Sequence, residues 1–261
     1  MRLMWIAWAF FRAALQLELA YRTDFFGNVL RSVIAVGTAI GGLAVIFSHT
    51  ESLGDWNLAQ ALALLGVFYV IQGFVAMSMS PSLNKIVEEV RDGTFDYILV
   101  KPVPSQFIAS TRRFVIWHVT DIALGAGIIV IAMGRLGSGL SGSALLLFLG
   151  MIVAGVAIVY AIWLALTTLV FWFVRIENVT MIFNLFYETG RYPVEIYPFW
   201  LRQALTFVFP VAFITTVPAQ AITGRELTWL VWAAPIVGVI AVLAASFFWR
   251  MGIRRYSSAS S

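Results

Sequence analysis

The chain has 261 residues, 61% of them hydrophobic and only 11% charged, with a mean hydropathy of +0.91. A soluble domain carries about 25% charged residues, so the composition excludes a soluble globular protein and points to an integral membrane protein. The net charge of +4 does not point to nucleic acid, because the charges gather at the ends of apolar runs. The absence of cysteine excludes a disulfide framework, thiolate metal sites and thiol nucleophiles.

Met1 to Tyr21 could pass for a signal peptide, but Arg12 cuts its apolar run and no small-x-small cleavage site follows. The pattern predicts a helix lying in the cytoplasmic interface. Trp5, Trp8, Phe10 and Phe11 face lipid, Arg2, Arg12, Gln16, Glu18 and Arg22 face water, and Glu18 and Arg22 are spaced to pair. Spans are then predicted at about 25–47, with Arg31 roughly two turns inside, and at 57–79.

Ser80 to Arg113 follows, holding nine of the chain's thirty charged residues between long apolar runs. Its first part reads as a short amphipathic helix with Ser82 as N-cap, Leu83, Ile86 and Val90 as apolar stripe, and Lys85, Glu88, Glu89 and Asp92 as charged face. Gly93 is its expected stop. Pro102 and Pro104 exclude a continuous helix beyond it. Such a helix on a charged loop between spans suits docking of a water-soluble partner; the plainer alternative is a solvated connection.

A third span is expected at about 114–133 and a fourth at 144–173, the latter too long for an upright crossing. From Arg175 to Glu226 two readings stand. Either Trp200 to Ile222 crosses, despite Arg202, Gln203, Pro210 and Pro218, each proline disrupting the helix; or 176–191 is a short fifth span and 198–222 is re-entrant. A last span, about 229–250, precedes a basic tail. With the charged loop cytoplasmic, Lys and Arg divide thirteen inside to four outside on the re-entrant reading and fifteen to two on the other. Both put the two termini in the cytoplasm.

No phosphate-binding G-x-x-x-x-G-K-[ST] stretch is present, so ATP hydrolysis is not expected on this chain. An intramembrane enzyme is disfavoured, because the two histidines, His49 and His118, fall on opposite sides of the predicted bilayer. No catalytic or metal-binding residue is therefore assigned. Charges inside a membrane mark sites. Arg31 and Asp121 are expected to pair, with His118 one turn from Asp121 on the same face; the alternative is that Arg31 snorkels alone. Glu177 and Glu188, the latter together with Arg191, are candidates to line a pathway for a cationic substrate, although a simple i, i+3 salt bridge of Glu188 with Arg191 is the favoured role for that pair.

Two stretches carry a resemblance. IVEEVRDGTFDYILVKPVPSQFIASTRR resembles the cytoplasmic loop of ABC-2 type transporter permeases, and YPVEIYPFWLRQALTFVFPVAFITTVPAQAITGR resembles their outer proline-bounded hairpin. With the six-span layout the resemblance covers nearly the whole chain. It implies an all-α integral membrane fold of one permease domain over 1–261. That fold has an interfacial N-terminal helix over 1–22, six transmembrane helices, a cytoplasmic coupling helix within 80–113 and an outer re-entrant hairpin over 198–222. It further implies an exporter subunit of the cytoplasmic (inner) membrane, without cofactor of its own. Its partners are membrane lipids, a second permease, identical or homologous, and cytosolic ABC ATPase subunits carrying ATP and magnesium. The docking helix comprises Asn84, Lys85, Val87, Glu88, Glu89, Arg91, Asp92, Gly93 and Thr94. A partnerless channel or scaffold is the competing class.

Overall fold

The computed structural model describes residues 2–20, 22–137, 141–173 and 177–256, and all their regular structure is helical. Helix α1 (Arg2–Ala20) precedes α2 (Arg22–His49). Trp5 and Trp8 of α1 are exposed, as expected of an interfacial helix, but Phe11 packs edge-on against Phe114 instead of facing open lipid. The side chains of Arg2 and Arg22 lie outside the described residues.

Helix α3 (Leu58–Phe74) is the hub. Asn57 and Gln60 cap its start reciprocally, and residues 61–71 are all buried, as suits a helix apolar on every side. It packs on α7 (Val119–Leu136) at glycine–glycine distance. A Cβ on Gly66 would lie 2.7 Å from the Gly125 carbonyl, and one on Gly73 would lie 3.1 Å from that of His118. Helix α8 (Gly142–Thr168) lies along α12 (Trp229–Arg255), and both α3 and α8 contact the 212–223 segment.

Ser82 is not an N-cap. The chain runs from α3 through a π-helical turn, Val75–Met79, straight into α4 (Ser80–Arg91), giving one helix of 34 residues, about 50 Å long. Pro81 lies inside it. A proline withholds the N–H that would bond the carbonyl four residues earlier, here Met77, and crowds it. The wide turn makes room, and the Met77 carbonyl accepts from the Val115 N–H at 2.8 Å. Pro218 follows another π turn, Ala212–Thr216, and enters α11 (Val217–Thr223) without a bend. Of the two prolines expected to break this region only Pro210 does so. It lies at the 76° bend between 199–208, which begins with α10 (Phe199–Gln203), and 212–223.

Among the described residues five helices are long and apolar enough to span a membrane, and the bent pair makes a sixth if it is one crossing. The stretch expected as a short fifth span holds α9 (Glu177–Glu188), continued by a 3-10 turn at Thr189–Arg191, and it is not one of those five helices. At about 1.5 Å per residue its helical part is shorter than the hydrocarbon layer.

Candidate functional site

The charged connector is built upward from α4. Its C-terminus closes as the glycine predicts: Gly93 has φ +69°, the Thr94 N–H bonds the Glu89 carbonyl at 2.8 Å, and the Gly93 N–H bonds that of Val90. Leu83 and Ile86 are fully buried, with Val90 packed against the same core. Ser82 is buried too. Its hydroxyl donates to the Arg113 carbonyl at 2.8 Å and accepts from the Arg113 N–H at 3.0 Å, binding α4 to the returning chain.

The predicted charged face divides. Lys85 and Glu88 pair at 2.7 Å in solvent, and the Lys85 ammonium holds the Glu88 carboxyl below the usual carboxylate range. Asn84, Arg91, Asp92 and Thr94 are exposed and Val87 is half-buried. Glu89 turns inward and meets Arg112 at 2.7 Å, the two side chains 17% and 14% exposed. That pair spans 23 residues of sequence, so no local spacing announces it.

Beyond Gly93 the chain makes two short helices, α5 (Asp96–Leu99) and α6 (Ser105–Thr111). Phe95, fully buried, joins Phe171, Trp249 and Tyr256 in a cluster with ring centroids 5.3–6.2 Å apart. Gln106 donates to Tyr160 at 3.0 Å and to Ser246 at 2.9 Å, tying α6 to α8 and α12. The opposite edge of α5 is open: Tyr97 is 72% and Val100 79% exposed beside Lys101. Sequence reading passed over these two residues. The signal was there, because Phe95 and Ile98 take the core face and leave Tyr97 and Val100 as apolar side chains in a charged loop.

At the start of the candidate span 116–136, His118 Nδ1 lies 2.7 Å from Asp121 Oδ2, so the two share a face. Arg31 does not join them. It is exposed and forms no ion pair among the described residues; His118, three residues from Asp121, occupies the carboxylate instead. The Glu177 side chain lies outside the described residues.

Glu188 Oε2 pairs with Arg191 at 2.5 Å, side chains 43% and 34% exposed, and the Arg191 guanidinium stands 5.2 Å from the Phe68 ring and 5.9 Å from that of Tyr69. A cavity of about 250 Å³ adjoins Glu188, lined also by Gln72, Ser80, Trp163, Asn184 and Tyr187. Another, of about 440 Å³, adjoins Arg191, with Thr38, Leu65 and Tyr192 in its wall. Among the described residues no group of three His, Asp or Glu side chains could hold a metal ion.

Residues 33–260 match a family model described as ABC-2 family transporter protein. No curated protein matches the chain.

Proposed function

The chain belongs to the ABC-2 family of transporter proteins, matched over residues 33–260, and from that membership we propose that it is the membrane half of an ATP-driven exporter. The family implies ATPase partners in general, and its membrane subunits are typically not catalytic. On this reading ATP and magnesium act on a separate cytosolic ATPase, and a second permease, identical or homologous, completes the pathway.

The connector carries the proposal. Its outer edge offers Asn84, Glu88, Asp92, Tyr97 and Val100 to solvent. Its inner edge is tied by Ser82, Glu89, Phe95 and Gln106 to the chain at 112–113 and to α8 and α12. A partner seated on the outer edge would push on a 34-residue helix that is itself the core of the spans. Nucleotide can bias those spans only by binding one ATPase state better than the other, and a stiff joint passes that difference on.

The topology that fits is cytoplasmic for the connector and both termini, with thirteen Lys and Arg inside and four outside. Helix α9 is then the short fifth crossing, and the bent pair is a hairpin entering from the outer side. It is tolerated in the membrane because 212–223 is buried against protein.

The test is capture of the tagged permease from its native membrane, with mass spectrometry and an ATPase assay. Recovery of a soluble ATPase with ATP turnover is expected, and its loss in Glu88→Lys with Val100→Asp. Capture of the permease alone after crosslinking through Lys85 would overturn the exporter reading.

A further inference from the structure

One face of α3 runs past two cavities with an ion pair between them. Leu65 lines the larger cavity, Phe68 and Tyr69 lie under the Arg191 guanidinium, and Gln72 lines the smaller cavity. These positions follow the i, i+3, i+4, i+7 spacing of a single helix face. Glu188 lines the smaller cavity and Arg191 the larger, so their 2.5 Å pair stands where the two would join.

We propose that the smaller cavity binds a small organic cation, and that the bound cation takes Glu188 from Arg191 and so opens the way between the two cavities. The inference rests on the exporter reading and names a substrate class for it.

Among the described residues lining the smaller cavity, Glu188 alone carries a charge. The remaining polar groups there are neutral: Gln72, Ser80, Asn184, the Trp163 indole and Tyr187, whose buried hydroxyl has no hydrogen-bond partner among the described residues. Carboxylate, amide oxygens and aromatic faces suit a cation with an apolar body. An anion would meet the Glu188 carboxylate.

Pulling the pair apart with nothing in its place leaves each charge without its partner. Exchange avoids that. Glu188 keeps a counter-charge, while Arg191 keeps the rings of Phe68 and Tyr69 and the larger cavity beside it. A guest can shift such an equilibrium only by favouring the parted state, so a neutral guest of the same shape leaves the partition closed.

The experiment is calorimetric titration of the full-length permease in lipid nanodiscs with benzyltrimethylammonium, and with phenylmethanesulfonate as the anion of similar shape. Saturable binding of the cation alone is expected. Glu188→Gln should weaken it about tenfold or more, and Arg191→Gln, which removes the competitor, should tighten it by up to about fivefold. Asn184→Leu, which narrows the cavity and leaves the ion pair intact, should weaken it as well, so the result does not depend on Glu188→Gln folding. Equal binding of both probes, unchanged affinity in Asn184→Leu, or weaker binding in Arg191→Gln would overturn the proposal. An ATPase recovered with a permease that binds no cation defeats this inference and spares the exporter reading. Cation binding without any ATPase does the reverse.

Discussion

Two Glu–Arg pairs adjoin the 34-residue helix 58–91 and are built to opposite ends. Glu89–Arg112, in the connector, is walled in at 17% and 14% exposure and backed by the Ser82 and Phe95 ties. Glu188–Arg191, between the cavities, is 43% and 34% exposed and has open volume on both sides. The same chemistry is a fixed joint where nothing else can reach it and an exchangeable partition where a guest can. The surroundings, and not the ion pair itself, decide which.

That contrast can be broken experimentally. The largest effect is expected from Glu89→Ala, which leaves Arg112 buried without its counter-charge; a loss of about 3–5 kcal/mol is expected, read as a drop in thermal stability of the purified permease. Phe95→Ala should come close, because it removes the ring that fills the cluster with Phe171, Trp249 and Tyr256, a core truncation worth about 3–5 kcal/mol. Its further signature is ATPase activity that no longer responds to transport, since the connector would lose its grip on α8 and α12. The smallest effect belongs to Glu188→Ala, about 0–1 kcal/mol on the same stability scale, because a pair this open is screened. A Glu188→Ala penalty as large as that of Glu89→Ala would erase the distinction between joint and partition.

Local signals were read well where the physics is local. Gly93 stops α4 because a left-handed residue closes the last turn whatever lies elsewhere, and His118 and Asp121 meet because three residues of helix place them together. Prolines misled for a related reason. Pro218 was read as a break, but a π turn upstream carries the helix through it, as another does before Pro81, where a distant donor, Val115, takes the Met77 carbonyl that the proline leaves free. Glu89 was assigned to the solvent face because helical spacing alone cannot show an arginine that returns 23 residues later.

The sequence by itself determined that this is a multi-pass membrane protein, because composition and the length of apolar runs decide what the bilayer will accept; the resemblance to ABC-2 permeases rested on two motif stretches, 86–113 and 192–225. The sequence also located the charged connector and the broken segment at 198–222, since charge and proline are costly inside apolar helices. Only the tertiary structure decided that α4 continues the second span, that Glu89 is paired inward while Tyr97 and Val100 form an open edge, and that Glu188 and Arg191 each line one of two cavities beside α3. Those facts depend on which helix faces meet, and side chains far apart in the chain settle that by packing together.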